Sequence, residues 1–443
     1  MQNQRFAVPR AALGMLVAAA WTGAAPAQGA AENIWPTAQW QTSTPEEQGM
    51  DSAALADLLD FGTTISLDSL LLARHGRIVL DAYYAPYAAD IPHGINSSTK
   101  SVVGTLAAIA HRDGLLDSFD HPVLDFFPDR IVAMPDGGKN AITIQHLLDM
   151  TSGIDWKEPP DGSPDSMIEM IRQPNWVKFV LDRPMAHAPG TVFNYNSGNT
   201  HLLSAIITRL TGMSTEDYAK AKLFGPLGIS VWNWRRDPQG ISSGGFGLSL
   251  LPRDMAKIGY LYLRGGRWED KSLLPPAWIE KVSHATLNTS FGPDVRYSNL
   301  FWVLPDKQIY MAVGYHCQVI MVLSRLDIVA VTTARDFCPY GRLMDAISGT
   351  VKSETALPPD PAGASLLADK IREMATGKPT KAGAVPEPAV SGRVYKFSEN
   401  ALDVKSLRDQ MRLRAGDGRE VSIEGEPGPQ WKSTGFGHDG EAQ

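Results

Sequence analysis

The stretch NSSTKSVVGTL, Asn96 to Leu106, sets two adjacent serines, Ser97 and Ser98, just ahead of Lys100 and an apolar run. It has two readings. Either it is a polar cap on a buried helix, or it is a nucleophile with its base one turn away. From Val102 to His111 the residues are rich in Ala and Leu, without proline and with Gly104 as the one internal break. That pattern predicts a buried helix, and Gly114 stands close to where a glycine stop belongs. On a helix, positions i and i+3 share a face, so the Ser97 hydroxyl and the Lys100 amine can meet. A serine is a weak nucleophile until a base takes its proton. A lysine can be that base only if burial and neighbours lower its pKa. The helix N-terminus would also direct backbone N–H groups at developing negative charge. Three letters, S-x-x-K, recur by chance, and a capping serine beside a solvated lysine fits them as well.

Outward from this stretch, the chain sorts into strands at its two ends and helices in the middle. LDSLLLARHGRIVLDAYY reads as two strands turning at Gly76. ITIQHLLDMTSGI, THLLSAIITRLTG and PRDMAKIGYLYLRGG read as helices with polar or proline starts and glycine stops. QIYMAV, QVIMVL and IVAVTT follow as three strands. Strands segregated from helices argue an α+β fold whose antiparallel sheet joins its first and last strands.

The chain has 443 residues, 43% hydrophobic and 20% charged, enough for a large core and two or three domains. Residues 1–27 stand apart: Arg5 and Arg10, an apolar run from Ala11 to Ala20, then Ala25-Pro26-Ala27. This predicts a secretory signal cleaved near Ala27, too short to span a bilayer, hence a secreted or periplasmic protein with no membrane span after cleavage. The net charge is −7, with no block of like charge, so nucleic acid is not an expected partner. The expected partner is a small-molecule substrate; the oligomeric state is left open. The two cysteines, Cys317 and Cys338, flank a hairpin that turns at Ser324 to Asp327. In simple register Cys317 faces a residue near Ala334, so the sequence leaves a disulfide and two free thiols both open.

Composition divides the rest. Residues 28–353 are read as the catalytic domain, with a helical insertion over roughly 115–240. Residues 354–391, with LPPDPAG and GKPTKAGAVPEPAVSG around one helical run, are read as a linker. Residues 392–443 are read as a small β-type appendage.

Further segments turn the opening stretch toward chemistry. SSTKSVVGTLAAIAHRDGLLD, ITIQHLLDMTSGI, APGTVFNYNSGNTHLLSAII, LFGPLGI and GFGLSLLPRDMAKIGYLYL occur in that order. Together they resemble the serine β-lactamase and penicillin-binding-protein superfamily, in its class C-like branch of esterases, D-amino-acid peptidases and 6-aminohexanoate-oligomer hydrolases. The resemblance covers Leu67 to Ala334. It implies a β-lactamase/transpeptidase-like fold, an antiparallel sheet flanked by helices plus an all-helical part, and it implies no cofactor or metal. It makes Ser97 the nucleophile, Lys100 its base and Tyr195, in a Y-x-S form of the family's tyrosine motif, a proton shuttle. The third family motif, usually K-T-G, H-T-G or H-G-G on a strand edging the site, falls on Tyr315-His316-Cys317-Gln318. There the lysine is missing and Cys317 replaces the usual glycine, which implies a modified rim. A backbone N–H near Cys317 or Gln318 would join that of Ser97 in an oxyanion hole, and His316 would either bond the leaving group or stay structural.

The resemblance implies an acyl-enzyme serine hydrolase. The absent lysine favours small esters or linear amides over D,D-peptides and β-lactams, which share a carboxylate. A D,D-peptidase or β-lactamase and a non-hydrolytic acyl-binding sensor are the alternatives. GISSG, Gly240 to Gly244, matches G-x-S-x-G but lacks the strand before and helix after that a nucleophile elbow needs, so it is read as a loop. The ten histidines include no H-E-x-x-H, so no metal site is expected. Trp156, Trp232, Trp234 and Trp302 are left between an apolar cleft and the core.

Overall fold

The computed structural model describes residues 34–129, 137–159, 164–336 and 339–377, and four short strands nearer the C-terminus. The expected signal, residues 378–391 of the expected linker, most of the expected appendage and Cys338 lie outside the described residues.

Nine strands form the main sheet. They are β1 (Gln41–Thr42), β2 (Leu67–Arg74), β3 (Arg77–Tyr83), β4 (Leu287–Asn288), β5 (Arg296–Ser298), β6 (Phe301–Leu304), β7 (Ile309–Gly314), β8 (Gln318–Leu323) and β9 (Ile328–Ala334). Their order is β1-β3-β2-β9-β8-β7-β6-β5-β4, so the first long strand meets the last, as expected. All pairs are antiparallel except β1 with β3.

The central strands are apolar on both faces because each face is covered. Successive side chains point to opposite sides of a strand. Leu71, Ile320, Val322, Val329 and Val331 join one core. Leu70, Leu72, Val319, Met321, Ile328 and Ala330 join the other. The six main helices are α1 (Ser52–Thr64), α2 (Ser98–Arg112), α3 (Ser197–Thr211), α4 (Pro252–Leu263), α5 (Tyr340–Gly349) and α6 (Pro361–Thr376). Apolar residues of α2, α3 and α4 belong to the first core, and those of α1, α5 and α6 to the second.

Two expectations need correction. First, part of the segment read as linker is packed structure. α6 buries Leu367 and Met374, and Lys370 pairs with Asp60 of α1 at 2.8 Å. The helical run expected between the proline-rich flanks is present, but packed on α1 rather than free in a linker. Second, the helical insertion is not wholly helical. Trp232–Trp234 pairs with Leu248–Leu250, which also pairs with His93–Gly94 just before the turn into α2. Beyond Gly377, Tyr395–Lys396 pairs with Ser406–Leu407, and Gln410–Arg414 with Glu420–Glu424, each antiparallel.

Candidate active site

The site begins at the turn into α2. Asn96 takes a left-handed φ of 48°, a conformation that asparagine tolerates better than most residues, and its side chain donates to the Tyr315 carbonyl at 3.0 Å. Ser97 then occupies the N-cap, yet its hydroxyl caps nothing. This matters because an N-cap serine ordinarily spends its oxygen on a backbone N–H. Here Lys100 Nζ donates to Ser97 Oγ at 3.1 Å instead. Ser98, by contrast, is fully buried and donates to the Gln318 carbonyl at 2.8 Å. The opening stretch therefore separates its two serines: one is held by the Lys100 amine, the other fastens α2 to β8.

Lys100 is buried, and its amine also donates to the Gly245 carbonyl at 2.8 Å. Burial pushes it down to about 8, against a smaller upward pull from the Glu158 carboxylate. Gly245 follows the GISSG segment, whose serines are buried in the loop that was expected there. A Cβ on Gly245 would lie 2.9 Å from Ser197 Cβ, so glycine is what lets this loop reach the lysine across the start of α3.

Tyr195 enters from the residue before the N-cap of α3. Asn196 caps that helix, accepting from Asn199 N–H at 3.1 Å, which fixes where the chain turns and where the phenol points. Lys100 Nζ lies 4.7 Å from the centre of the Tyr195 ring. Burial, and next the Glu158 charge, push the phenol well above its ordinary value, opposed by a hydrogen bond with Ser97. Tyr195 is thus a protonated phenol at neutral pH. Ser97 and Lys100 are brought together as their spacing implied, and Tyr195 joins them as the resemblance implied.

Glu158 is the residue that sequence reasoning missed. Its carboxylate accepts from Ser197 N–H at 2.6 Å, Ser197 Oγ at 3.0 Å and Trp156 Nε1 at 2.6 Å. A carboxylate at a helix N-terminus is favourable. It also takes up the hydroxyl of Ser197, the third residue of Y-x-S. Glu158 sits in a loop without any motif, so no sequence signal marks it. Asn199 likewise lies inside α3 rather than in a turn, its carbonyl oxygen accepting from Ser152 at 2.9 Å.

The third element differs most from expectation. Tyr315–Cys317 is a tight connection between β7 and β8, not a strand, with His316 at φ 58° and Cys317 at φ 61°. Gly314 opposes Gln318 in the ladder, and a Cβ on Gly314 would lie 2.3 Å from the Ile95 carbonyl. The loop is therefore pressed against the turn that leads into Ser97. Cys317 is fully buried in the second core and disulfide-bonded, so its side chain does not form the rim. The Gln318 side-chain amide donates to the carbonyls of Ala334 at 2.6 Å and His316 at 3.1 Å. Tyr315 is exposed and its ring lies 4.0 Å from that of His316, and these two side chains make the rim.

Of the tryptophans, Trp156 and Trp234 are core residues and Trp302 stacks on Tyr195, with ring centres 5.8 Å apart.

This arrangement, and the sheet that carries it, match a known family: the model described as Beta-lactamase matches residues 55–342. The chain belongs to the β-lactamase family. It is 26% identical over 290 residues to 6-aminohexanoate-dimer hydrolase of Paenarthrobacter ureafaciens, covering 60% of this chain and 71% of that one. It is 27% identical over 211 residues to esterase EstB of Burkholderia gladioli, covering 42% of this chain and 53% of the esterase. Among solved structures, a protein described as a 6-aminohexanoate-dimer hydrolase homologue from Bacillus anthracis superposes with a TM-score of 0.57 at 19% identity, covering 77% of this chain and 89% of that one. At that identity the superposition speaks for the fold alone. The family is one of β-lactamase-fold hydrolases, and this chain is one of them.

Proposed function

We propose that this protein is a serine hydrolase that forms an acyl-enzyme on small esters or linear amides. The observation that carries the proposal is the buried Lys100 amine, 3.1 Å from a Ser97 hydroxyl that caps nothing and pushed down to about 8. Such an amine is neutral often enough near pH 7 to 8 to act as a base. Lys100 takes the Ser97 proton as Oγ attacks the carbonyl carbon. The Ser97 N–H, at the start of α2, faces the developing oxyanion. The Tyr195 phenol gives its proton to the departing alkoxide or amine and is refilled from the Lys100 ammonium. Water then attacks the acyl-serine, its proton passing back to the same pair, and the acid leaves with Ser97 restored.

The substrate class rests on charge. The third motif has no lysine, and the Glu158 carboxylate lies close enough to act on both Lys100 and Tyr195. A substrate carboxylate is poorly served there. The name of the esterase relative agrees with a neutral ester; the aminohexanoate dimer shares the linear amide bond but carries a carboxylate on its leaving half. Export is part of the proposal: a disulfide at Cys317 suits an oxidising compartment.

The test is a panel of p-nitrophenyl esters, 6-aminohexanoate dimer, a chromogenic cephalosporin and a D-Ala-D-Ala peptide. Ester turnover well above that of the cephalosporin and the peptide is expected, with the carboxylate-bearing aminohexanoate dimer below the esters. Rapid cephalosporin or peptide hydrolysis with poor ester turnover would replace the substrate class. A stable adduct by intact mass without turnover would make the protein an acyl-binding sensor.

Glu158 offers a second check. A glutamine there can still accept from Ser197 N–H and Trp156 Nε1, so the loop is kept while the charge goes. Glu158 raises Lys100, so its removal lowers Lys100 further. For Glu158→Gln, the acidic limb of the kcat/KM profile is expected to move to lower pH by several tenths of a unit or more. A limb that stays put or moves upward would remove Glu158 from the electrostatics of the base.

A further inference from the structure

We infer that an aromatic wall beside Tyr195, built from Trp302, Phe193 and Phe291, is the leaving-group subsite and takes a neutral, apolar alcohol or amine. This rests on the acyl-enzyme reading above and adds which half of the substrate the enzyme selects.

The wall is continuous with the catalytic phenol. Trp302 of β6 stacks on Tyr195 at an interplanar angle of 28°. Phe193 meets Trp302 edge-on with ring centres 6.0 Å apart, and Phe291 does so at 4.8 Å. Tyr297, fully buried, closes the back of the cluster at 4.9 Å from Trp302. Its outer end is open. Phe291 is 63% exposed, more than any other large hydrophobic side chain among the described residues. Its backbone is tethered, with Phe291 N–H donating to Thr289 Oγ1 at 3.2 Å and that hydroxyl donating to the Val295 carbonyl at 3.2 Å. A tethered phenyl ring left in water, contiguous with buried aromatics that lead to a catalytic group, is an unfinished apolar contact.

The chemistry decides which part of the substrate finishes it. Tyr195 hands its proton to the leaving group, so whatever lies along the Tyr195–Trp302 face is the alcohol or amine, not the acyl chain. Charge decides the rest. Glu158 acts on Tyr195 and also on Tyr297 behind the wall, which disfavours a leaving group that bears a carboxylate. The cation of the same loop, Arg296, is turned into the loop, donating to the Pro293 carbonyl at 2.5 Å. The wall is aromatic, and the exposed Asp294 of the Phe291 loop adds negative charge that also disfavours a carboxylate.

The experiment varies the two halves of an ester separately. Methyl and benzyl acetate differ in the alcohol; methyl acetate and methyl hexanoate differ in the acyl chain. For Phe291→Ala, the kcat/KM ratio of benzyl over methyl acetate is expected to fall about 5-fold or more, the order of one aromatic contact. The ratio of hexanoate over acetate should stay within about twofold, since the acyl side sees no aromatic contact of this kind. Phe291→Trp should restore the benzyl preference, and Leu366→Ala on α6 should move neither ratio. A fall in the acyl-chain ratio instead makes the wall an acyl subsite and overturns the assignment, and so does a result in which neither ratio moves. The underlying reading fails separately: turnover of all three esters that persists in Ser97→Ala removes the nucleophile whatever Phe291 does.

Discussion

Ser97→Ala is expected to lower kcat/KM for every ester and amide the protein turns over by roughly 10^4-fold or more, with no acyl adduct by intact mass. The size follows from what is lost: the attacking atom itself, while the helix N-terminus and the wall still bind substrate. Stability should change little. The Ser97 hydroxyl makes no capping bond, so the fold gives up its contacts with Lys100 and Tyr195 only. A change within about 1 kcal/mol, of either sign, is expected. Ser98→Ala supplies the contrast. Its hydroxyl bonds the Gln318 carbonyl inside the protein. Removing it should reduce stability by about 1–2 kcal/mol while leaving the chemistry in place. Denaturation midpoints and kcat/KM for the two variants thus give opposite patterns. Substantial turnover in Ser97→Ala would transfer the nucleophile to another residue and with it the whole mechanism.

How much of this was readable in the sequence depends on how local its cause is. The hairpin at Gly76, the helices ending at Gly114 and Gly212, and the three late strands were legible, because periodicity and turn residues are properties of neighbours in the chain. The pairing of β2 with β9 was legible through a general rule of α+β sheets. Tyr315–Cys317 was misread as part of a strand because His316 and Cys317 adopt left-handed φ without a glycine to announce it. The helical run of α6 was legible, but not its packing, since what makes it structural is its fit against α1. Glu158 was not legible at all. It reaches Ser197 from 39 residues away, through a contact that exists only after folding. The motifs name the atoms that react, while the groups that tune them are set by packing.

Lys100→Met should show that tuning directly, through an opposite response of activity and stability. Activity is expected to fall about 10^2- to 10^4-fold, the range for loss of a positioned base. In the parent protein, Lys100 must be neutral to accept the Ser97 proton, and it sits at about 8. Below that value the neutral fraction drops tenfold per pH unit, so kcat/KM should rise with slope one and level off near pH 8. The variant should lose this limb. For stability the sign is reversed. Lys100 is fully buried, and its amine is pushed down from 10.5 to about 8. The unfolded chain therefore holds the proton more tightly, and folding bears a penalty of about 3 kcal/mol, present in full below pH 8. It fades as pH rises from about 8 to 10.5. Methionine keeps the apolar stem without the charge, and leaves the Gly245 carbonyl without its donor, which costs about 1–2 kcal/mol. The net expectation is a variant more stable than its parent by about 1–2 kcal/mol at pH 7, with the gain shrinking toward pH 10. Chemical denaturation at those two pH values measures it. A variant that is less stable at pH 7, or whose difference from the parent does not depend on pH, would mean that the Lys100 amine is accommodated as a stable ammonium and is not the base.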